Sequence, residues 1–417
     1  MKASSLARMW LTRSFKPFEF TNNNDEKIDF EKTTPLGLYI HIPFCNSICS
    51  FCPYCKELYD AKKCNEYVDA LIHEIHIVGS TLKARKNITS LYFGGGTPAL
   101  IANRLEEIIS NVRRYFIIHD GIGIELHPSN VDTETLCTLK TAGVTKISIG
   151  IQSFQRKFLS ILGRKKLPDY TKMSSALKTV TFETVSMDFM FSLPNQTISD
   201  IKRDIEMAFA IGANHVALYP FIQFNFTNNL IPVADKKHKR KLMNELADYC
   251  NSKGYFRGSI WTFSKNSSVR YSSMTRENYI GFGCSAVTLL YDSFKINTFS
   301  VDAYIKQIKN DMLPTALTLR FSQRQRMIYY LFWKFYSMSV SSSEFRDFFG
   351  LPLKKLYGIE LSIGQLLNLI KKNNDIYTLT QKGVFYFHYF ESYFTLSYID
   401  KMWGLMRLTA FPQKMKL

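Results

Sequence analysis

The chain of 417 residues lacks any apolar run close to the roughly 20 residues that a membrane-spanning helix requires. Its first ten residues lack the apolar core of a secretory signal peptide. Eight cysteines in a chain without such a signal favour free thiols and metal ligands over disulfides. We therefore expect a cytoplasmic protein in a reducing compartment, with no transmembrane segment.

Signatures of nucleic-acid binding are also missing, although the chain is basic. It has 53 Lys and Arg against 35 Asp and Glu, but no zinc finger, helix-turn-helix or aromatic RNA-binding pattern. The one dense basic run, at residues 236–241, is interpreted as the solvated face of a helix. We expect no nucleic acid as a partner. The charge suits an anionic substrate or an acidic electron donor such as a flavodoxin or ferredoxin.

Three cysteines dominate what is present. Cys45, Cys49 and Cys52 stand as C-x3-C-x2-C directly after a β-rich run at 38–42. Full coordination of a [4Fe-4S] cluster takes four cysteines, so three leave one iron open to a small molecule. The usual partner is S-adenosylmethionine (SAM), which chelates through its amino and carboxylate groups. The alternatives are free buried cysteines or a zinc knuckle, but no second Cys/His pair lies at a suitable distance for zinc.

Hydrophobic periodicity predicts the fold. Residues 36–225 alternate short β-rich runs with amphipathic helical stretches, the pattern of repeated βα units. Strands are predicted at 38–42, 90–93, 123–126, 146–151, 186–191 and 215–221. Their apolar character implies burial on both faces. The pattern predicts an α/β fold with a partial (βα)6 TIM-like barrel, whose functional residues gather at the carboxyl ends of the strands.

Four segments are predicted along the chain. They are an N-terminal extension (1–35), the barrel with its cluster (36–225), a linking region that completes the active site (226–314) and a helical, winged-helix-like C-terminal cap (315–417). Within the cap, helices are predicted near 322–336 and 359–372. A hairpin is predicted with strands at 377–379 and 384–386.

Glycines and polar side chains follow the predicted strands. The second strand leads into GGGTP at 94–98, where glycines allow the backbone to approach a ligand closely. We expect its amides to grip a polar group, and interpret the loop as the site for the amino group of SAM. Glu125, Gln152, Arg164 and Asp188 offer carboxylates for ribose hydroxyls or an ammonium, and a guanidinium for a carboxylate.

Together these motifs resemble the radical SAM family. The resemblance is carried by YIHIPFC at 39–45, the three-cysteine spacing, GGGTP at 94–98, GIQSF at 150–154, LGR at 162–164, and Asp188 with LPNQT at 193–197. Within that family the motifs resemble the oxygen-independent coproporphyrinogen III oxidase-like branch, over about residues 36–290. This branch includes the oxidase, haem chaperones, anaerobic haem-degrading methyltransferases and class C methyltransferases.

The resemblance implies roles for the matched residues. The cluster is held by Cys45, Cys49 and Cys52, with Phe51 packed beside it. Tyr39 contacts the first SAM. The residues implied to meet the SAM amino group are Gly95, Gly96 and Thr97. Those implied to bind its ribose, its carboxylate or a second SAM molecule are Glu125, Gln152, Arg164 and Asp188.

Two departures from the family bear on the reaction. The oxidase is similar up to its third cysteine but carries a further cysteine two residues later, where this chain has Tyr54. Cys55 follows one residue later, and we name it a candidate catalytic residue with Tyr39. The His-Asn-x-x-Tyr-Trp signature associated with haem chaperones is replaced by RYSSMTRENY at 270–279.

The leading hypothesis is a radical enzyme that acts on a flat, conjugated and possibly anionic small molecule, a tetrapyrrole or a quinone, by methyl transfer with two SAM molecules. The first alternative is oxidative decarboxylation of coproporphyrinogen III. The second is a haem chaperone that retains the cluster without radical turnover.

Overall fold

The structure, a computed structural model, describes residues 3–22, 27–164, 167–227, 231–232, 234–269 and 276–417. Its strands are β1 (Glu19–Thr21), β2 (Gly37–Ile42), β3 (Phe44–Cys45), β4 (Glu57–Leu58), β5 (Lys86–Ile88), β6 (Leu91–Gly95), β7 (Phe116–Ile118), β8 (Ile122–Leu126), β9 (Lys146–Gln152), β10 (Thr184–Phe191), β11 (His215–Pro220), β12 (Phe256–Arg257), β13 (Thr262–Ser264), β14 (Tyr279–Phe282), β15 (Val287–Leu289), β16 (Ser293–Asn297), β17 (Thr315–Arg320), β18 (Ser339–Ser341), β19 (Ile370–Asn373), β20 (Ile376–Leu379) and β21 (Lys414–Lys416).

The α-helices are α1 (Ala3–Thr12), α2 (Ala61–Gly79), α3 (Ala102–Tyr115), α4 (Thr133–Thr141), α5 (Arg156–Ile161), α6 (Tyr170–Thr179), α7 (Ile198–Ile211), α8 (Lys236–Ser252), α9 (Val301–Lys309), α10 (Gln323–Tyr336), α11 (Ser342–Phe349), α12 (Leu353–Leu366), α13 (Gln381–Phe394) and α14 (Asp400–Leu408). A π-helical turn (Thr395–Ile399) joins α13 to α14. In the described part of the chain, none of the helices combines the length and apolar character needed to cross a lipid bilayer.

One large sheet organises the molecule. Its order is β12-β13-β11-β10-β9-β8-β6-β2-β14-β15-β16-β17-β1-β21. The stretch from β11 to β14 is parallel throughout. All six predicted strands lie in it, and most of their residues are buried on both faces, as predicted. The carboxyl ends of these strands meet at one edge, which positions the candidate site.

The region predicted as a linker continues this sheet. The βα rhythm stops after residue 225, but β14 pairs parallel with β2, and β15 and β16 extend the sheet from there by antiparallel pairing. On the other edge, β13 pairs with β11 and β12 with β13. These strands have two to five residues, too few for the alternation of a strand to be recognised in sequence. The segment boundaries remain a prediction.

The C-terminal region is helical and winged-helix-like, as predicted. Helix α10 is followed by β18, then α11 and α12, then β19 and β20, and the strands form a sheet in the order β18-β20-β19. The predicted hairpin was misplaced. Its strands are β19 and β20, whereas residues 384–386 lie in α13, which starts where the Thr380 side chain accepts the N–H of Gly383. The helix predicted at 359–372 is α12 and ends earlier, at Leu366.

The basic run at 236–241 has a different environment from the one predicted. It begins α8, but two of its cations lie over aromatic rings of α13. The Nζ of Lys236 is 3.8 Å from the ring centre of Tyr389, and the guanidinium of Arg240 is 5.0 Å from that of Phe385. This face therefore packs partly against the cap and is not simply solvated.

Candidate active site

The three-cysteine loop is closed at its base by a short parallel ladder. Strand β3 pairs with β4, so that Phe44 lies opposite Glu57 and Cys45 opposite Leu58. The N–H of Glu57 also donates to the carbonyl of Pro43 at 2.6 Å. The loop thus leaves and returns at one point beside the end of β2.

Burial keeps two of these thiols, those of Cys45 and Cys52, protonated in the absence of a metal. It raises the pKa of Cys45 to about 11, opposed by the hydroxyl of Thr97, which donates to its Sγ at 3.6 Å. Burial also raises the pKa of Cys52, opposed by the charge of Lys56. Cys49 and Cys52 pack against an apolar cluster that contains Phe51. Because a metal ligates the thiolate, metal binding must displace these protons.

The loop fits a cluster better than a single ion. Among the described residues, no group of three or more His, Cys, Asp or Glu side chains converges as one metal ion requires. A four-iron cube is ligated at separate irons, so its thiols need not converge. Gly96 leaves space beside the loop, since a Cβ there would lie 2.9 Å from the Sγ of Cys45. The three thiols and the room beside them therefore suit an iron–sulfur cluster.

Backbone N–H groups of the glycine loop after β6 are already hydrogen-bonded within the protein. The N–H of Gly95 donates to the Glu125 carboxylate at 3.2 Å. The N–H groups of Gly96 and Thr97 donate to the carbonyls of Ile42 and Phe44 at 2.8 and 2.7 Å. These three amides are therefore engaged within the fold, and their contact with a ligand stays a prediction. An ammonium carries only donors, so the Glu125 carboxylate of β8, which lies beside this loop, is an acceptor that suits it.

Two carboxyl groups, those of Glu125 and Asp188, lie close to each other at the carboxyl ends of the parallel strands. Burial, together with the charge of Asp188, raises the pKa of Glu125 to about 7. Burial raises the pKa of Asp188 to about 6, although Ser148 and Ser186 donate to it at 2.8 and 3.2 Å. The register between β9 and β10 shifts around Asp188, and such irregularities re-aim side chains. A cation beside them would favour the charged form of both groups.

Tyr39 is linked to the cysteine loop through a histidine that the sequence analysis quoted without a role. The Nε2 of His41 lies 3.0 Å from the carbonyl of Cys55, which only accepts, so Nε2 carries the proton. Nδ1 therefore accepts the hydroxyl of Tyr39 at 3.0 Å. Burial lowers the pKa of His41 to about 4, so the ring is neutral near pH 7. These two hydrogen bonds fix the orientation of the Tyr39 side chain on β2.

Gln152 and Arg164 lie together at the end of β9. Gln152 has a φ of +69°, a left-handed conformation uncommon outside glycine. A Cβ at Gly150 would lie 3.0 Å from the Gln152 amide nitrogen and 3.8 Å from an Arg164 nitrogen, so this glycine makes room for both side chains. Arg164 donates to the carbonyls of Gly150 and Ile151, and its buried Nε has no hydrogen-bond partner among the described residues. That donor suits a carboxylate acceptor.

Cys55 points away from this group. Its Sγ donates to the carbonyl of Phe299 at 3.1 Å and lies 3.7 Å from the Sγ of Cys284, both in the region after the parallel strands. Both thiols are buried. The structure thus brings Tyr39, Glu125, Gln152, Arg164 and Asp188 to the strand ends but does not bring the Cys55 thiol there.

Aromatic residues from the loop and the cap face the same space. Tyr54 is 54% exposed, yet burial and the charges of Glu125, Cys52 and Asp188 raise its pKa. The ring of Tyr54 is therefore open to solvent while its hydroxyl lies close to the charged groups at the strand ends. Its ring lies 5.8 Å from that of Trp403 on α14. Sequence analysis missed Trp403 because nothing local indicates that the chain's last helix returns to the loop.

Comparison with protein families bears directly on this arrangement. The profile of the Radical SAM superfamily matches residues 39–208, which contain the three cysteines, the glycine loop and both carboxyl groups. Residues 39–208 are a radical SAM domain. Such a domain works with a [4Fe-4S] cluster and SAM, so these predicted cofactors are confirmed.

Relatives of the radical SAM domain extend the similarity. The chain is 26% identical to the heme chaperone HemW of Bacillus subtilis, over 83% of this chain and 95% of that protein. It is 24% identical to the oxygen-independent coproporphyrinogen III oxidase of Pseudomonas aeruginosa, over 70% of each. It is 28% identical to anaerobilin synthase of Escherichia coli O157:H7, over 69% of this chain and 68% of that protein. The predicted coproporphyrinogen III oxidase-like branch is confirmed.

A solved structure agrees with the fold of this chain. The coproporphyrinogen III oxidase HemN of Escherichia coli, described as a radical SAM enzyme, superposes with a TM-score of 0.74 at 19% identity. The match covers 92% of this chain and 97% of HemN. It includes the helical C-terminal region, and so the predicted fold class is confirmed.

Proposed function

We propose that this radical SAM protein is an enzyme that modifies a planar, conjugated tetrapyrrole. The observation that carries the proposal is that a polar surface and an aromatic surface lie next to each other. Carboxyl groups and the cysteine loop lie at the strand ends, and aromatic rings of the cap face them through Tyr54. A flat conjugated ligand suits the aromatic surface, because offset stacking of rings is favourable.

The chain's own residues have separable roles in this proposal. Cys45, Cys49 and Cys52 hold the cluster. When bound, the reduced cluster and SAM supply a 5′-deoxyadenosyl radical. Glu125 and Asp188 accept hydrogen bonds from the ammonium or the ribose of SAM, and a bound ammonium favours their charged form, which burial disfavours.

The remaining residues orient the ligand. Tyr39 is held by His41 and presents its ring beside Tyr92, with ring centres 6.4 Å apart. The buried Nε of Arg164 suits the SAM carboxylate, and Gln152 borders it. A second SAM molecule, expected from the family resemblance, remains part of the proposal.

The segment before β14 contributes a cation for an anionic substrate, and aromatic rings of the cap pack against it. The guanidinium of Arg276 lies 3.9 Å from the ring centre of Trp333 and 5.3 Å from that of Tyr336. Its charge also lowers the pKa of Tyr54 and Tyr336 against burial, which raises them. Arg276 therefore stands within electrostatic reach of Tyr54 and Tyr336. The neighbouring residues 270–275, part of the stretch compared with haem chaperones, lie outside the described residues.

The names of the relatives favour tetrapyrrole chemistry over other substrates. None of the three relatives quoted above is named as a methyltransferase, so methyl transfer has no support from them. Oxidative decarboxylation fits the oxidase relatives, although Tyr54 stands where the resemblance places a further cysteine. A haem chaperone is the second candidate, because the HemW alignment spans 95% of that relative.

The proposal is tested anaerobically with the reconstituted chain, dithionite and SAM. Coproporphyrinogen III, haem and a quinone are offered separately, and 5′-deoxyadenosine, S-adenosylhomocysteine and substrate mass are followed together. Deoxyadenosine with a changed tetrapyrrole mass supports the proposal. Loss of carbon dioxide identifies the oxidase, and a gain of a methyl group with S-adenosylhomocysteine identifies the methyltransferase.

Two variants sharpen this experiment. Cys49→Ala removes a predicted ligand, whereas Cys137→Ala alters an exposed thiol on α4 and serves as the matched control. We expect Cys49→Ala to lose iron and deoxyadenosine formation while Cys137→Ala keeps both. Haem bound tightly by the wild-type chain, without deoxyadenosine under any condition, would favour the chaperone.

A further inference from the structure

The backbone that follows the third cysteine is held by two cations from opposite ends of the sequence. The Nζ of Lys56 donates to the carbonyls of Cys52 and Tyr54 at 2.6 and 3.2 Å. The guanidinium of Arg407, on α14, donates to the carbonyl of Pro53 between them. Three consecutive carbonyls beside a predicted cluster ligand thus each accept a hydrogen bond from a charged side chain.

Arg407 is placed there by aromatic packing. Its guanidinium lies over the rings of Phe226 and Phe299, 4.7 and 5.8 Å from their centres. One turn earlier on α14, Trp403 stacks on Phe224 with ring centres 5.9 Å apart and planes at 11°. The ring of Trp403 also contacts Tyr54 of the cysteine loop.

The start of the same helix is anchored as well. The carboxylate of Asp400 accepts the backbone N–H of Asn225 at 2.8 Å, and also the side-chain amide of that residue. Helix α14 is therefore attached both to the segment after β11 and to the cysteine loop. These two attachments fix the position of α14, and with it the position of Arg407 beside Pro53.

The charge of Arg407 reaches the thiols. Burial lowers its pKa, and the thiolates of Cys55, Cys52 and Cys284 act in the opposite direction. The other charged groups near the loop are Lys56, Glu57, Arg276, Glu125 and Asp188, and the carboxylate of Glu57 is paired with Lys63 at 2.6 Å. Arg407 and Lys56 are the cations that bond directly to the loop's backbone. Net charge and hydrogen bonding are among the factors that set the reduction potential of an iron–sulfur centre.

We propose that Arg407 is a positioning residue for the cluster: it holds the loop through Pro53, and its charge makes the cluster easier to reduce. A cation stabilises a neighbouring group that gains an electron, and the effect is largest where water is partly excluded. The inference rests on the proposed function, because it takes Cys45, Cys49 and Cys52 as the ligands. It gives the C-terminal helix a role in electron transfer to the site.

The test compares the wild-type chain with Arg407→Gln, Arg407→Lys and Lys401→Gln, each reconstituted with iron and sulfide. Lys401 is exposed on the same helix, so its replacement removes the same charge away from the loop. The cluster's midpoint potential is measured by mediated titration and its loss by iron release to a chelator. For Arg407→Gln we expect a reduced-to-oxidised ratio about tenfold lower at a fixed potential, equivalent to about 59 mV for one electron.

We expect Arg407→Gln also to release iron several-fold faster, Arg407→Lys to keep most of the potential, and Lys401→Gln to match the wild type. A wild-type potential in Arg407→Gln would overturn the inference, as would an equal shift in Lys401→Gln. If Arg407→Gln folds too poorly to titrate, Arg407→Met takes its place, because it keeps the aliphatic packing and removes both the charge and the hydrogen bond to Pro53; a wild-type potential in that variant would also overturn the inference. Failure of the wild-type chain to assemble a cluster would instead overturn the proposed function.

Discussion

Glu74, on α2, accepts the backbone N–H of Gly283 at 2.7 Å, which ties the first long helix of the barrel to the loop after β14. The same carboxylate accepts the hydroxyl of Tyr304 at 2.6 Å and the side-chain amide of Asn297 at 3.2 Å. It is buried, and burial raises its pKa to about 7. The parallel strand that the sequence pattern did not predict is thus held in place by an acid that the pattern did not single out.

Glu74→Gln should therefore destabilise the fold. A glutamine has one acceptor oxygen, and its NH2 group would face a donor, so we expect a loss of about 1–3 kcal/mol in the free energy of unfolding. Glu66→Gln, on the same helix but partly exposed and paired with Lys309 at 3.5 Å, should cost much less. Urea denaturation of the three proteins measures both values, and equal losses would contradict the prediction.

The loss of unfolding free energy in Glu74→Gln should also depend on pH. The folded pKa of Glu74, about 7, is above the ordinary value of 4.5, so the native state binds this proton more tightly. The stability from this group is therefore present at low pH and falls as pH rises between 4.5 and 7. We expect Glu74→Gln to lose more relative to wild type at pH 5 than at pH 8. A penalty that grows with pH would show that the sign is wrong.

His41 should be needed for the shape of the cysteine loop. His41→Phe leaves the carbonyl of buried Cys55 without its donor, at a cost of about 1–3 kcal/mol, and frees the hydroxyl of Tyr39. We expect lower cluster content after reconstitution and lower stability in urea. His119→Phe, at an exposed histidine bonded to Asn87, is the control. Wild-type iron content and stability in His41→Phe would refute the structural role.

Cys55→Ala should keep its iron. The thiol of Cys55 donates to Phe299 and contacts Cys284, and only three thiolates are required for the proposed cluster. We expect full iron and sulfide per chain, with a modest loss of stability from the buried site. Cys49→Ala, measured in parallel, should lose the cluster. Loss of iron in Cys55→Ala would indicate that Cys55 is one of the cluster ligands.

SAM binding should weaken in acid. The pKa of Glu125 is raised to about 7 and that of Asp188 to about 6, so both lose their charge as pH falls from 8 to 5. An ammonium ligand needs the carboxylate form, so affinity should fall by up to about tenfold per pH unit below these values. Calorimetry at several pH values measures this. Glu125→Gln should bind weakly at pH 8 and show a flatter profile, whereas an unchanged slope would exclude Glu125.

The local chemistry of the site could be predicted from sequence because it is written in short motifs. The three-cysteine loop, GGGTP and the polar residues after consecutive strands all follow predicted parallel strands, whose carboxyl ends meet at one edge. That rule alone brings Glu125 and Asp188 together, although they are 63 residues apart in the numbering. The misplaced hairpin shows the limit, because an apolar run such as that at 384–386 suits either a strand or a helix.

Long-range partners could not be predicted in this way. The amides of the glycine loop are bonded within the fold, and Cys55 faces Phe299 instead of the strand ends. Arg407 reaches Pro53 across 354 positions of sequence. The sequence by itself determined the cofactor loop, the parallel strands and the functional residues that follow them, since these depend on residue type and local spacing. Only the tertiary structure decided which side chains surround the loop, because packing joins residues whose separation along the chain carries no periodic signal.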